Sequence, residues 1–208
     1  MSDYLKNAEA IYALSFEMID AEADFSLIPD SGRAIARRIV HACGMTSVAK
    51  QLFISPDFAD AARLSIARRQ KILVDAEMVR HGIMPSLLPE REQIICTLND
   101  LRTKPLASEM ANTRSAAAVE LWRPHLAGSV VVIGNAPTAL FHLLDIIDAG
   151  APKPAAIVGL PVGFVGAAES KEQLILNPRG IPIVALRGRQ GGSAMAAAVI
   201  NAVLGGNA

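Results

Sequence analysis

The sequence predicts an α/β fold: a five-stranded, mostly parallel open sheet with helices on both faces, preceded by an all-helical N-terminal part. Three observations lead there. In the second half, a short β-branched apolar run, a glycine-rich turn and an alanine-rich segment recur three times. The runs are Val130–Ile133 before Gly134-Asn135-Ala136-Pro137, Ala156-Ile157-Val158 before Gly159–Gly163, and Ile181–Leu186 before Arg187–Ser193. Apolar runs of this length, closed by glycine, read as strands buried on both faces of a parallel sheet, and the alanine-rich stretch reads as the returning helix. Two earlier runs, Ile72-Leu73-Val74 and Ile94–Leu98, extend the rhythm, and the residues before them show only helical patterning. Strands separated by helices imply an open sheet covered on both sides.

The elements follow in order. From about Tyr4 to Ala23, Leu5, Ala8, Ile11, Tyr12, Ser15, Phe16 and Ile19 lie near one helical face. Pro29-Asp30-Ser31-Gly32 is a turn that offers caps for a second helix, from about Gly32 to Ala42, which Gly44 stops. Ser55-Pro56-Asp57 begins a third helix that ends near Gln70. The strand Ile72–Val74 ends at Asp75, and a short helix runs to about His81-Gly82. After the strand Ile94–Leu98, one helix is expected from about Ser108 to Trp122, stopped by Pro124. The whole, residues 1–208, is expected to form one domain, with a helical part at about 1–70 and a parallel α/β part at about 71–208.

Bulk properties narrow the function. Hydrophobic residues make up 51% of the chain, much of it alanine, yet no stretch approaches the roughly 20 apolar residues of a membrane helix. The start, Met1-Ser2-Asp3-Tyr4-Leu5-Lys6, lacks the pattern of a signal peptide. Cys43 and Cys96 lie far apart without metal-type spacing, so a reducing cytoplasm is expected and no metal centre. A formal net charge of zero disfavours nonspecific nucleic-acid binding. It leaves room for an acidic small molecule held by a few arginines.

Ligands of open α/β sheets sit outside the carboxyl ends of the strands, which draws attention to the three glycine turns. None matches Gly-x-Gly-x-x-Gly, and there is no P-loop, so a dinucleotide oxidoreductase lacks its fingerprint. The glycines could serve only to make tight turns. Three such turns in one sheet, two of them with polar groups, favour a ligand, and N–H groups at helix starts suit carboxylates as well as phosphates. A second feature is Arg38 and His41, three apart on one helix face. A guanidinium can hold a carboxylate while an imidazole moves a proton near neutral pH. The plainer alternative is a histidine resting on the last carbonyls of its helix. Cys43, two residues on, points elsewhere, which argues against a His–Cys metal pair or a cysteine-protease dyad. The third feature is the polar row Asn112-Thr113-Arg114-Ser115, suited to anion binding or to ordinary capping beside a surface arginine. Asp75 is either functional, at a strand end, or a helix cap. His81, before Gly82, reads as a loop residue, His125 as exposed and His142 as a satisfied core histidine; Gly-x-Ser-x-Gly is absent.

Together these segments resemble the precorrin-8X methylmutase family. The stretches that carry the resemblance are Ile11–Phe16, Val40–Gly44, Asp75–Val79, Asn112–Ala117, Ile133–Leu140, Gly163–Lys171, and Arg187–Arg189 with Gly191–Ala194. They run in order over nearly the whole chain. The resemblance implies an isomerase of corrin-ring (cobalamin) biosynthesis that moves a methyl group from C11 to C12 of precorrin-8X to give hydrogenobyrinate, with no redox change and no added cofactor. It places the family's catalytic histidine on His41 and suggests Ser15 and Arg38 as substrate contacts. Arg114, with Asn112, Thr113 and the Gly134-Asn135 turn, joins them as substrate-binding residues. It further implies a homodimer with the site near the subunit interface; the cytoplasm, and no nucleic-acid or membrane partner, are expected from the bulk properties above. The substrate is either precorrin-8X or cobalt-precorrin-8. On this reading the glycine turns floor a slot for a flat macrocycle, their N–H groups holding its carboxylates. The alternative is a non-catalytic tetrapyrrole carrier, which would use the same arginines without needing His41.

Overall fold

The computed structural model describes residues 4–90 and 93–205. The chain opens with helix α1 (Ala8–Glu22) and helix α2 (Arg33–Cys43). Gly44 ends α2 in the left-handed conformation, φ 67°, where a side chain would be strained. Next come a short strand β1 (Leu52–Ile54) and helix α3 (Phe58–Ala67). The alternation then runs β2 (Ile72–Val74), α4 (Glu77–Gly82), β3 (Ile94–Cys96), α5 (Thr103–Glu109), α6 (Arg114–Glu120) and β4 (Val130–Ile133). It closes with α7 (Pro137–Asp148), β5 (Ala156–Gly159), α8 (Ala167–Leu176), β6 (Ile183–Leu186) and α9 (Ser193–Val203).

Among the described residues the sheet has six strands, in the order β1-β6-β5-β4-β2-β3. The five expected strands are all parallel, with Ile72 opposite both Ile94 and Val130, and Val158 opposite both Val132 and Val184. The sixth corrects the expectation of five strands and of an all-helical N-terminal part. β1 lies antiparallel on the edge, Leu52 opposite Leu186 and Ile54 opposite Val184. Its three residues alternate buried, exposed, buried, too short a pattern to stand out in the sequence.

Parallel strands covered on both faces need apolar side chains throughout, and all four residues of β4 are fully buried. Alternate side chains feed two cores. Val130 and Val132 join the layer formed by α1, α2, α3, α4 and α9. Val131 and Ile133 join the layer of α7 and α8 with Trp122 and Val119. Helix α9 packs along α2, and its buried Ala196, Ala197 and Ala198 keep the two axes close. The N-terminal helices therefore share a core with the sheet, through Phe16, Ile19, Ile35 and Ile39.

The single helix expected from Ser108 to Trp122 is two. Met110–Thr113 breaks it, with Ala111 at φ 47°. The polar row accounts for the break, because Asn112 Oδ1 accepts the Thr113 N–H at 2.7 Å and Thr113 Oγ1 accepts that of Ala116 at 3.2 Å. Short polar side chains that bond nearby backbone compete with helix interior and favour its ends. No helix among the described residues is long and apolar enough to cross a membrane.

Candidate active site

His41 occupies the last turn of α2, and α1 supplies its surroundings at helical spacing: Tyr12, Ser15 and Phe16 lie on one face. Ser15 Oγ stands 3.0 Å from His41 Nδ1. Phe16 stacks on the imidazole at 5.1 Å between centroids and 21° between planes, and Tyr12 packs beside it at 5.2 Å. The ring is thus fixed in orientation, with one nitrogen engaged and Nε2 without a hydrogen-bond partner among the described residues. An imidazole held in this way can exchange a proton through its free nitrogen.

One turn earlier, Arg38 is only 9% exposed. Its Nη1 donates to the Tyr12 hydroxyl at 2.9 Å, its Nε is buried without a partner, and its guanidinium lies 5.5 Å from the Tyr12 ring and 5.8 Å from that of Phe16. Neighbouring Arg37 pairs with Asp20 at 2.9 Å, whereas no carboxylate lies within ion-pair distance of Arg38 among the described residues. A buried cation without a counter-ion is costly, so this position favours an incoming anion.

Two clefts meet at His41. One, of about 180 Å3, runs past Ser15, Met18 and Glu22; the other, of about 280 Å3, runs past Tyr12, Arg38, Met84 and the α9 residues Ala194, Ala198 and Asn201. Asn201 clips the α4 end to this wall, donating to the Gly82 carbonyl and accepting from the Met84 N–H, both at 2.9 Å. The third glycine turn reaches the end of α2 through Gln190 Nε2, 3.5 Å from Met45 Sδ.

Among the residues expected from the sequence, the structure thus brings Ser15, Arg38 and His41 together. Asn112, Thr113, Arg114, Gly134 and Asn135 do not line either cleft. They lie at the carboxyl edge of β3 and β4. Arg114 Nη2 donates to the Leu98 carbonyl at 3.1 Å and to Asn99 Oδ1 at 3.0 Å, and Thr113 Oγ1 bonds Thr138 Oγ1 at 2.8 Å.

The expectation that the N–H groups of the Gly134-Asn135 turn hold substrate carboxylates is corrected. Asp75, 1% exposed, already fills that cradle, its carboxylate accepting from Gly134 at 2.9 Å, Asn135 at 3.0 Å and Ala136 at 2.7 Å. Burial pushes its carboxyl above the usual range, and the three donors pull against that shift. Gly134 is required here by close approach, since a Cβ would stand 2.7 Å from Ala196 Cβ and 2.9 Å from Val79 Cγ2. Ser15 also changes character, because its hydroxyl is directed at the imidazole as well as at the cleft.

The other singled-out groups fall outside the site. His142 bonds Glu120 at 2.8 Å, and His81 is an exposed partner of Glu77. Burial pushes the Cys96 thiol up to about 11 and raises that of Cys43, so neither is a nucleophile at neutral pH. Sequence reasoning missed Tyr12 and Phe16 as parts of the site. Their signal was present in the shared helical face with Ser15 and read only as packing.

Known proteins agree with this architecture. A sequence model of the family described as precorrin-8X methylmutase matches residues 10–205. A precorrin-8X methylmutase of Pseudomonas aeruginosa is 56% identical over 203 residues, covering 98% of each chain. One from Sinorhizobium is 54% identical, covering 97% of this chain and 96% of its own. A cobalt-precorrin-8 methylmutase of Methanothermobacter thermautotrophicus is 39% identical over 87% of this chain and 84% of its own. The solved precorrin-8X methylmutase of Thermus thermophilus superposes with a TM-score of 0.84 at 32% identity, covering 95% of both chains. The chain therefore belongs to the precorrin-8X methylmutase family, isomerases of cobalamin biosynthesis.

Proposed function

We propose that this enzyme converts precorrin-8X to hydrogenobyrinate and that His41 is its acid–base catalyst. The observation that carries the reading is a clamped imidazole beside a buried arginine that lacks an anion. Protonating the conjugated macrocycle near ring C makes it electron-poor, which eases migration of the methyl group from C11 to C12. Nε2 can donate that proton and recover it afterwards, as a positioned general acid–base group does. Arg38 and the Tyr12 hydroxyl receive one substrate carboxylate; the hydroxyl accepts from Arg38 and keeps its own proton to donate. Asn112, Thr113, Arg114 and the Asn135 side chain meet carboxylates farther out on the ring.

The clefts of about 180 and 280 Å3 meet at His41, and each alone is smaller than the ~300–1,000 Å3 usual for ligand pockets, which supports a macrocycle that spans both sides of the imidazole. A second subunit would add a further wall to this open site. The outer face of α1, with Ile11, Leu14 and Met18 each close to half exposed, is the surface we assign to that homodimer. The enzyme works in the cytoplasm on this reading. The higher identity to the two precorrin-8X methylmutases than to the cobalt-precorrin-8 methylmutase supports a metal-free substrate.

The test is His41→Ala. The variant is expected to bind hydrogenobyrinate, seen by its visible absorption, and to lose turnover by about 100-fold or more. Conversion at the normal rate would remove His41 from the mechanism. A native enzyme that binds hydrogenobyrinate but does not isomerise precorrin-8X would instead be a carrier. Incubation with each substrate form decides between metal-free and cobalt-containing precorrin.

A further inference from the structure

Lys171, in α8, is fully buried, one of the largest side chains to be so. No carboxylate lies within ion-pair distance of it among the described residues, and its hydrogen bond goes from Nζ to the backbone carbonyl of Gln190. An apolar residue of similar length would avoid the cost of burying an ammonium, so the interaction at Gln190 must account for a lysine here. Burial brings that ammonium down to about 8, which agrees with a site that offers it little compensation.

Gln190 lies at a junction. The second and third glycine turns are stitched together there, Gly163 N–H donating to the Arg189 carbonyl at 3.2 Å and Gly192 N–H to that of Leu160 at 2.8 Å. The Gln190 amide then reaches Met45, just beyond the Gly44 cap that ends α2, the helix whose last turn carries His41. Four residues beyond Gln190, Ala194 begins the α9 wall of the cleft at His41. One carbonyl thus sits between the end of the helix that bears the imidazole and the start of the helix that faces it.

We propose that Lys171 is a positioning residue: by holding the Gln190 carbonyl it fixes the third glycine turn, and through that turn the separation of the α2 end from α9 around His41. This rests on His41 being the proton carrier in the methyl shift. Lys171 does not touch substrate. It acts on the distance between the imidazole and the ring, a quantity to which turnover is far more sensitive than binding, since a displacement of about 1 Å can cost on the order of 100-fold in rate.

The experiment compares the native enzyme with Lys171→Met and Gln190→Ala in steady-state conversion of precorrin-8X, with a thermal melt of each. Lys171→Met keeps the length and removes the buried charge, so its Tm is expected to equal or exceed the native value. Its kcat is expected to fall about 10- to 100-fold, with KM within about threefold because the carboxylate contacts are intact. Gln190→Ala keeps the carbonyl but releases Met45, and a smaller fall in kcat, about threefold to tenfold, is expected at native Tm. A Lys171→Met enzyme with native kcat overturns the proposal. So does a fall in Tm with unchanged kcat per folded molecule, which marks a merely structural lysine. Should Lys171→Met not fold, Gln190→Ala decides: native kcat there overturns the relay. A native enzyme inactive on precorrin-8X would be a failure of the functional reading itself, seen before any variant is compared.

Discussion

At the scale of single residues, the state of His41 is set by two groups on α1. Phe16 holds the plane of the imidazole, and Ser15 occupies Nδ1, leaving Nε2 to face the clefts. A group that holds the orientation and tautomer of an acid–base imidazole acts on turnover, to which positioned proton transfer contributes about 100-fold or more. Ser15→Ala is therefore expected to lower kcat by part of that factor, about 10-fold or more, with KM little changed, as measured in steady-state conversion. A rise in KM at constant kcat would instead make Ser15 a substrate contact. The proximity of Arg38 to His41 was legible in the sequence because both lie on one helix three residues apart. The Ser15–His41 pair was not, since 26 residues separate them and only the fold brings α1 across α2. Resemblance supplied both names but not the bond between them. The role of the Tyr12 hydroxyl was hidden for the same reason: an aromatic residue on an apolar face signals packing unless the arginine it meets is known.

Elements tell a similar story with a different cause. The inner parallel strands β2, β4, β5 and β6 were legible because a strand buried on both faces must be apolar at every position. β3, on one edge, was legible through its own apolar run, whereas β1, on the other, is three residues long with Phe53 exposed, and the break between α5 and α6 depends on side chains bonding their own backbone. Asp75 shows what a strand-end residue can do for the elements around it. Its carboxylate gathers three N–H groups of the turn before α7, and so fixes the start of the helix whose Thr138 meets Thr113. The sequence placed Asp75 correctly and offered it as a cap for its own helix; the partner it caps lies 59 to 61 residues away. Asp75→Asn keeps the shape but presents an amide NH2 to donors that need an acceptor. A loss of roughly 3 kcal/mol is expected, from the weakened charge-assisted bonds and the donor left unsatisfied. It would be read as a lower urea midpoint at constant slope. A midpoint unchanged from native would mean that the turn is held by its packing against α9 alone.

For the whole molecule, the unresolved demand is on α1. One face of this helix covers α2 with Phe16 and Ile19, while Ile11, Leu14 and Met18 remain on the outside at helical spacing. A helix apolar on more than one side is normally buried on more than one side. The same helix carries Tyr12 and Ser15, so a second copy docked there would close the clefts at His41 and bury the macrocycle between subunits. This joins two otherwise separate observations, an apolar helix face without cover among the described residues and two open clefts that meet at His41 beside it. The predicted assembly is a dimer at micromolar concentration in light scattering, burying about 800 Å2 per subunit or more. Ile11→Glu combined with Leu14→Glu places carboxylates in the contact at two positions that line neither cleft. The pair is expected to yield a folded monomer with native far-UV dichroism and at least about a tenfold loss of kcat/KM, since desolvation of the site fails when one wall is missing. A variant that stays dimeric puts the interface elsewhere. A monomer with native kcat/KM separates assembly from catalysis and leaves each subunit with a complete site of its own, in which case α1 itself must move to admit the ring.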